Sequence, residues 1–366
     1  MKKISILISS ILVLFSLAGC KEKETYTSSP NITYNNQELI ETSTGTVADV
    51  VSHTYNSVVS IRADINQYSY SMGSGVFISY DETLNLSYVL TCYHVINGAS
   101  KFTVTLADQE TNLVASLVGG DPSNDIAILS VNGTGYNYAT VDDSSDLVLG
   151  SQVVIIGNPL GTLPGSVTSG YVSYVNREVI SEDYRTMSLI QTDASINSGN
   201  SGGAMFDMAG RLVGIVNAKY VDDGVEGLGF AIPISTAMDV VTSVLETSLY
   251  QDGTWVTKGY YVGSFEFAFT LTDYQGFFGG TSIVVSGVSS NETTSGYNKF
   301  QVGDEINSVT YTKDGKAEYI EFTSSSSLLE QLYTLDLSLG DSLTINITRN
   351  RANRDITFEL VQFIPD

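Results

Sequence analysis

Thr192-Asp-Ala-Ser-Ile-Asn-Ser-Gly-Asn-Ser-Gly-Gly203 is the stretch on which the reading of this chain turns. Its centre, Gly199-Asn200-Ser201-Gly202-Gly203, sets a serine among glycines, whose missing Cβ lets backbone N–H groups approach a reacting carbonyl. Acyl transfer to a serine hydroxyl needs a base, a carboxylate that orients the base, and preorganised donors for the oxyanion. A plain glycine-rich loop has the same local composition, so the partners decide.

Two segments upstream supply them. Tyr88-Val-Leu-Thr-Cys-Tyr-His-Val-Ile96 puts His94 just past an apolar strand, and Asn124-Asp-Ile-Ala-Ile-Leu129 puts Asp125 just before another. The order is His94, Asp125, Ser201. The other histidine, His53, lies in a polar lead-in and reads as a solvated helix position. Of the many carboxylates, only Asp125 combines this order with the Asp-Ile-Ala-Ile-Leu context.

Around these residues the pattern is that of short strands. The chain has 366 residues, 42% hydrophobic and 16% charged, enough for a sizeable core and for two folded units. Glycine is abundant (33), proline scarce (6) and tyrosine frequent (22), a mix that favours strands and turns. A short helix is expected from Thr46. Apolar runs follow at Ser57–Ala63, Gly75–Ser79, Tyr88–Thr91, Phe102–Leu106, Ala115–Val118, Ile126–Val131, Gln152–Ile156, Gly170–Val175, Leu189–Gln191, Leu212–Lys219 and Gly229–Ile232. Such spacing argues a β-sandwich or β-barrels. From Pro233 to Tyr250 a closing helix is expected, capped by Ser235, with Ala237, Val240, Val241, Val244 and Leu245 at helical spacing.

The eight segments Gly73-Ser-Gly-Val-Phe-Ile78, Thr91-Cys-Tyr-His-Val95, Asn124-Asp-Ile-Ala-Ile-Leu129, Ile155-Ile-Gly-Asn-Pro-Leu-Gly161, Val167-Thr-Ser-Gly-Tyr-Val-Ser173, Thr192 to Gly203, Leu212-Val-Gly-Ile215 and Gly227-Leu-Gly-Phe-Ala-Ile-Pro233 stand in one order. Together they resemble the HtrA (DegP-type) family of trypsin-like serine proteases. The resemblance implies a mainly β fold, a double antiparallel β-barrel with the His94–Asp125–Ser201 triad in the cleft. It implies an oxyanion hole from the backbone N–H groups of Gly199 and Ser201. A pocket would be lined by Ser195, Gly227, Leu228, Gly229, Phe230 and Ala231. Ser195 stands six before the nucleophile, where proteases of basic preference carry an acid, so small or medium aliphatic side chains are expected instead. Asp193 reads as structural. The chain departs from the family at Cys92, usually Asn, and at Ser198 and Ala204, usually Pro. Cys92 is a redox-sensitive thiol or, more simply, a small buried residue.

The ends of the chain carry further expectations. Lys2 and Lys3 precede an apolar run from Ile4 to Leu17, too short to span a membrane comfortably, that closes on Leu17-Ala18-Gly19-Cys20. This resembles a bacterial lipobox and implies removal of residues 1–19, lipidation of Cys20 and an extracytoplasmic, membrane-anchored protein. Residues 20–45 read as a flexible tether, 46–250 as the protease domain and 251–258 as a linker. Residues 259–366 read as a small α+β unit with strands at Tyr260–Phe269, Thr281–Val288, Glu305–Tyr311, Ala317–Phe322, Ser342–Arg349 and Asp355–Gln362, and a helix over Ser325–Tyr333. Phe300-Gln-Val-Gly-Asp-Glu-Ile-Asn-Ser-Val309 and Leu343-Thr-Ile-Asn-Ile-Thr-Arg349 resemble a PDZ domain, which implies capture of C-terminal peptides by strand addition. Lys258-Gly-Tyr-Tyr-Val-Gly263 departs from the carboxylate-binding loop, which leaves a regulator without peptide binding as the alternative.

The formal net charge of −23 disfavours a nucleic-acid partner. Two histidines and no cysteine cluster give no zinc motif, and no cofactor is expected. The function expected is endoproteolysis of unfolded or damaged extracytoplasmic proteins, with the homotrimer that the resemblance implies. Two alternatives stand beside it: a chaperone-like or scaffolding lipoprotein, and a dedicated signalling protease.

Overall fold

The computed structural model describes residues 45–141, 147–158, 165–180, 186–218, 227–262, 265–275, 281–313, 316–334 and 337–364, with a few residues between 27 and 40. Cys20, residues 1–19 and most of the expected tether lie outside the described residues.

Two six-stranded antiparallel barrels form the body. The first closes through Val58–Asp64, Tyr70–Asp81, Leu86–Cys92, Lys101–Thr105, Asn112–Asp121 and Ile126–Asn132, the last two pairing to seal the ring. The second closes through Gln152–Gly157, Ser166–Ile180, Thr186–Thr192, Ala204–Asp207, Arg211–Val216 and Gly229–Pro233. The double-barrel expectation therefore holds. Ala204–Asp207, which the apolar-run reading passed over, is the strand that seals the second ring by pairing on both sides.

Burial explains the sequence pattern. Lys101–Thr105 alternates outward and inward residues, as a barrel wall with one wet face must. Leu86–Cys92 and Ile126–Val131 are buried at every position, because their outer faces are covered as well. Over Ile126–Val131 the cover is the helix Ile234–Thr247, which lays Ile234, Ala237, Val240, Val241, Val244 and Leu245 inward and packs against both barrels, whereas Leu86–Cys92 meets the strand Arg211–Val216 and the Trp255 ring. Each of the Ile, Val and Leu side chains so removed from water contributes roughly 1.5–3 kcal/mol. Ser235 does not cap this helix. Pro233 takes the N-cap position and Ser235 lies within the first turn. The N-terminal helix Val47–Thr54 has a true capping box, Thr46 with Asp49.

Residues expected as a linker fold onto the first barrel instead. Leu249–Gln251 and Thr254–Thr257 form a hairpin around Asp252-Gly253, both at positive φ (50° and 84°), which a two-residue hairpin turn requires. Trp255 packs against Tyr250 and donates its indole N–H to Ser130 Oγ at 2.7 Å. Gly259–Tyr260 then pairs, in parallel, with Gly119–Gly120 of the first barrel. A Cβ on Gly119 would run into the Gly259 backbone, so this approach needs glycine.

The expected strand Tyr260–Phe269 is thus not formed as one element. Its start belongs to the barrel sheet, and the first strand of the C-terminal unit is Phe269–Gln275. Thr281–Val288, Glu305–Lys313, Lys316–Ile320, Ser342–Arg349 and Ala352–Glu359 complete its sheet, with the helix Ser325–Thr334. Its hydrophobic core, including Phe267, Val285, Val309, Leu328, Leu332 and Leu343, is separate from that of the barrels. Asp304, almost fully buried, is held by a two-pronged Arg349 contact at 2.6 and 2.5 Å.

Leu328→Ala is expected to cost the C-terminal unit about 2–5 kcal/mol. The chain has a single tryptophan, Trp255, seated on the first barrel. Circular dichroism should therefore show an earlier partial transition in the variant while Trp255 fluorescence reports the original midpoint.

Candidate active site

His94 sits on the one-turn helix Tyr93–Ile96 that starts where the buried strand Leu86–Cys92 ends. Asp125 lies at the head of Ile126–Asn132, in the left-handed region at φ 52°. That backbone is held by Asp121, whose buried carboxylate accepts from Ser123 N–H, Asn124 N–H (both 3.0 Å) and the Asn124 side chain (2.5 Å). The turn delivers the Asp125 carboxylate to His94 twice. Oδ1 accepts from the His94 backbone N–H at 2.8 Å, and Oδ2 lies 2.6 Å from Nδ1. The Tyr93 N–H returns to the Asp125 carbonyl at 3.0 Å. Asp125 is almost completely buried, while the His94 side chain is about one third exposed (30%).

The other face of the imidazole meets the second barrel. His94 Nε2 lies 2.9 Å from Ser201 Oγ. Nδ1–H donating to Asp125 leaves Nε2 free to accept the serine proton. The three expected residues are thus brought into one hydrogen-bonded line by two different barrels.

The serine turn is fixed from several sides. Ser74 N–H donates to the Ser201 carbonyl and Ser74 Oγ to the Gly199 carbonyl, both at 2.8 Å. Ser74 Oγ in turn accepts from Asn158 N–H at 2.8 Å, and the Ser74 carbonyl accepts from Thr91 Oγ1 at 2.7 Å. Gly202, at φ 81°, passes so close to the Ser74 carbonyl and Thr91 Oγ1 that no Cβ fits. Asn200 N–H closes a turn onto Asn197 O, which leaves the N–H groups of Gly199 and Ser201 without a protein acceptor among the described residues.

Asn217 was not singled out from the sequence. It is fully buried, and its Nδ2 donates to Asp125 Oδ2 at 2.9 Å, giving the carboxylate a further partner on the side away from solvent. Its position directly after the strand Arg211–Val216 was the available signal. Of the pocket candidates, Ser195 is exposed and its carbonyl accepts from Thr168 Oγ1 at 3.0 Å. Asp193 accepts from the Tyr171 N–H at 2.6 Å, a structural bond. Gly227 is exposed and Leu228 is partly buried against the core, whereas Phe230 and Ala231 are buried in two different core clusters. Gly229 faces Ile196, whose Cδ1 stands 2.7 Å from where a Cβ would be. Cys92 is fully buried, and its Sγ–H donates to the Val216 carbonyl at 3.3 Å.

Comparison with known proteins agrees with this fold. Residues 73–215 match the model of the trypsin-like peptidase domain. The chain is 34% identical over 301 residues to the serine protease Do-like HtrB of Bacillus subtilis (strain 168), covering 79% of this chain and 62% of that protein. It is 43% identical over 180 residues to a probable periplasmic serine endoprotease DegP-like of Pseudomonas fluorescens, covering 49% of this chain and 36% of the relative. It therefore spans about three fifths of the length of the first of these and about one third of the second. Among solved structures, the HtrA-type protease AlgW with a tripeptide matches at TM-score 0.52 and 27% identity, covering 88% of this chain and 98% of that one. The serine endoprotease from Yersinia pestis matches at TM-score 0.50 and 26% identity, with 87% and 98% covered. The chain carries a trypsin-like peptidase domain, and its homologues and structural neighbours are HtrA- and DegP-type serine proteases.

Proposed function

We propose that this chain is a serine endopeptidase in which Ser201 is the nucleophile, His94 the general base and then acid, and Asp125 the orienting carboxylate. The observation that carries the proposal is the unbroken line Asp125 Oδ2–His94 Nδ1 (2.6 Å) and His94 Nε2–Ser201 Oγ (2.9 Å). Ser201 Oγ attacks the scissile carbonyl while its proton passes to Nε2. The imidazolium so formed is stabilised by Asp125, which Asn217 and the His94 backbone N–H hold in place. The N–H groups of Gly199 and Ser201, unbonded to protein among the described residues, are the oxyanion donors. Collapse of the intermediate returns the proton to the leaving amine, and water repeats the sequence to release the acid.

The substrate pocket is formed by Ser195, Gly227, Leu228 and the Gly229 end of the Gly229–Pro233 strand. Ile196, reaching Gly229, makes it shallow and apolar, and Ser195 offers no countercharge for a basic side chain. Small or medium aliphatic residues fit best. The substrates are unfolded or damaged proteins outside the cytoplasm, by analogy with the periplasmic DegP-like relatives, and Cys20 is the lipid-bearing residue. The C-terminal unit is PDZ-like. The sheet ends at Phe269–Gln275, whose second edge flanks the helix Ser325–Thr334, and Asp273 accepts from Ser325 N–H at 2.7 Å. An incoming peptide strand would add there. A homotrimer is the assembly that the family resemblance supports.

Ser201→Ala is expected to lower hydrolysis of an unfolded protein such as casein by roughly 10⁴-fold or more. Equal degradation by the variant and the parent would show that proteolysis does not come from this chain. With peptides differing only at the residue before the scissile bond, Val or Ala should exceed Lys by about a hundredfold in kcat/KM. A preference for Lys would overturn the pocket assignment. Asp121→Ala should release the turn that carries Asp125, at a cost of about 1–3 kcal/mol in positioning. The expected result is a kcat lowered roughly tenfold or more with KM little changed, measured with the preferred peptide.

A further inference from the structure

We propose that the same relay holds an inhibitory site for a thiophilic divalent cation of the Zn²⁺ or Cd²⁺ kind, made by Cys92 Sγ, His94 Nδ1 and the Asp125 carboxylate. The activity readout of the proposal rests on the serine-protease reading, whereas the binding readout does not.

Three observations carry it. Among the described residues, the sulfur, a ring nitrogen of His94 and a carboxylate oxygen all lie within 4.8 Å of one another, and Nδ1 is the nitrogen that faces the carboxylate, at 2.6 Å. The three come from two adjoining places. Cys92 and His94 bracket one residue where the strand becomes a helix turn, and Asp125 Oδ1 already binds that turn through the His94 N–H. The donor set is also the right one. One thiolate, one imidazole nitrogen and one carboxylate oxygen make a three-ligand zinc shell with a fourth position left for water.

The fit needs modest movement. Ligand atoms about 2.0–2.3 Å from a tetrahedral ion lie roughly 3.3–3.8 Å from each other. The 2.6 Å His94–Asp125 contact must open by about an ångström and the sulfur must approach by up to about 1.5 Å. Cys92 Sγ gives up its weak bond to the Val216 carbonyl, at 3.3 Å. Charge balances as well: a thiolate and a carboxylate neutralise a divalent ion in a place where Cys92 and Asp125 are both buried.

Binding would silence the relay by a proton rearrangement. The Cys92 thiol loses its proton to solvent and forms the metal–sulfur bond. The His94 ring keeps one proton, which moves from Nδ1 to Nε2 as Nδ1 donates its lone pair to the ion. With Nε2 protonated, His94 cannot accept the proton of Ser201 Oγ, and general-base catalysis stops. No oxidation or reduction occurs, and a chelator that removes the ion restores the original tautomer.

The test is a Cd²⁺ titration of the full chain in the Ser201→Ala background, followed by the ultraviolet charge-transfer band of a cadmium–thiolate bond. One equivalent should saturate the band. Cys92→Ser should abolish it, while Cys20→Ser should leave it in place. In the Ser201 enzyme, Zn²⁺ should inhibit peptide hydrolysis reversibly, with the half-inhibiting concentration at least about tenfold higher in Cys92→Ser than in the parent. A band that survives Cys92→Ser, no band at all, or equal Zn²⁺ sensitivity in the two proteins would overturn the site. Absence of hydrolysis in the metal-free parent would instead remove the protease reading, and the cadmium band would still decide the metal site.

Discussion

The arrangement depends on one seam. Ser201 belongs to the second barrel, and His94 and Asp125 to the first, so the 2.9 Å contact between them exists only while the barrels keep their register. Ser74 is the residue that enforces this. From the first barrel it donates its backbone N–H to the Ser201 carbonyl and its hydroxyl to the Gly199 carbonyl, gripping the turn on both sides of Asn200. Thr91, three residues before His94, bonds the Ser74 carbonyl, so the grip and His94 share one small network. Gly202 lets the two backbones come this close. For the proposed reaction a misplacement of about 1 Å across this seam would cost around a hundredfold in rate.

The acid side has its own chain of support, and it reaches the C-terminal unit. Strand Asn112–Asp121 ends in Asp121, whose carboxylate shapes the turn to Asp125. Directly before Asp121, Gly119–Gly120 pairs with Gly259–Tyr260, the segment that leads out of the barrels. Gly120 also lies against the Tyr93 ring, next to His94. The junction of the two folded units is therefore built into the strand that positions the carboxylate. Gln362 of the last segment ties back to the Tyr261 carbonyl at 2.8 Å, closing the junction from the far side.

Much of this was legible in the amino-acid order, for a physical reason. Barrel strands packed on both faces must be continuous apolar runs, and Leu86–Cys92 and Ile126–Asn132 announce themselves that way. The residues aligned at the site stand at the ends of such runs, where a turn exposes a side chain at a fixed place. What stayed hidden acts across distance. Ser74 and Asn217 are ordinary polar residues whose partners lie 125 and 92 positions away, and no local period encodes that. Ile196 acts by facing a glycine of another strand. The hairpin after the closing helix was different, since Asp252-Gly253 between Leu249-Tyr-Gln251 and Thr254-Trp-Val256 is a sound hairpin signal. Its polar composition is that of a linker, and only the positive φ of both turn residues distinguishes it as a hairpin. The aromatic run Phe265–Phe269 misled for the opposite reason: Phe267 and Phe269 are buried in the C-terminal core, but only Phe269 opens a strand.

The distribution of unsatisfied groups shows where stability gives way to chemistry. Among the described residues, four buried side-chain atoms lack a hydrogen-bond partner: Ser79 Oγ, Tyr88 OH, Asn158 Oδ1 and Asn200 Oδ1. Two of the four belong to the serine turn and to the segment whose N–H bonds Ser74 Oγ. The unbonded N–H groups of Gly199 and Ser201 stand in the same place. Each such group costs about 1–3 kcal/mol when hidden from water. A barrel chosen for stability alone would have paired them, as the pairing of strand edges throughout both rings demonstrates. The two asparagine oxygens and the two N–H groups near Ser201 are polar atoms held without a protein partner, and the tight Ser74 and Gly202 contacts keep that turn from relaxing to satisfy them.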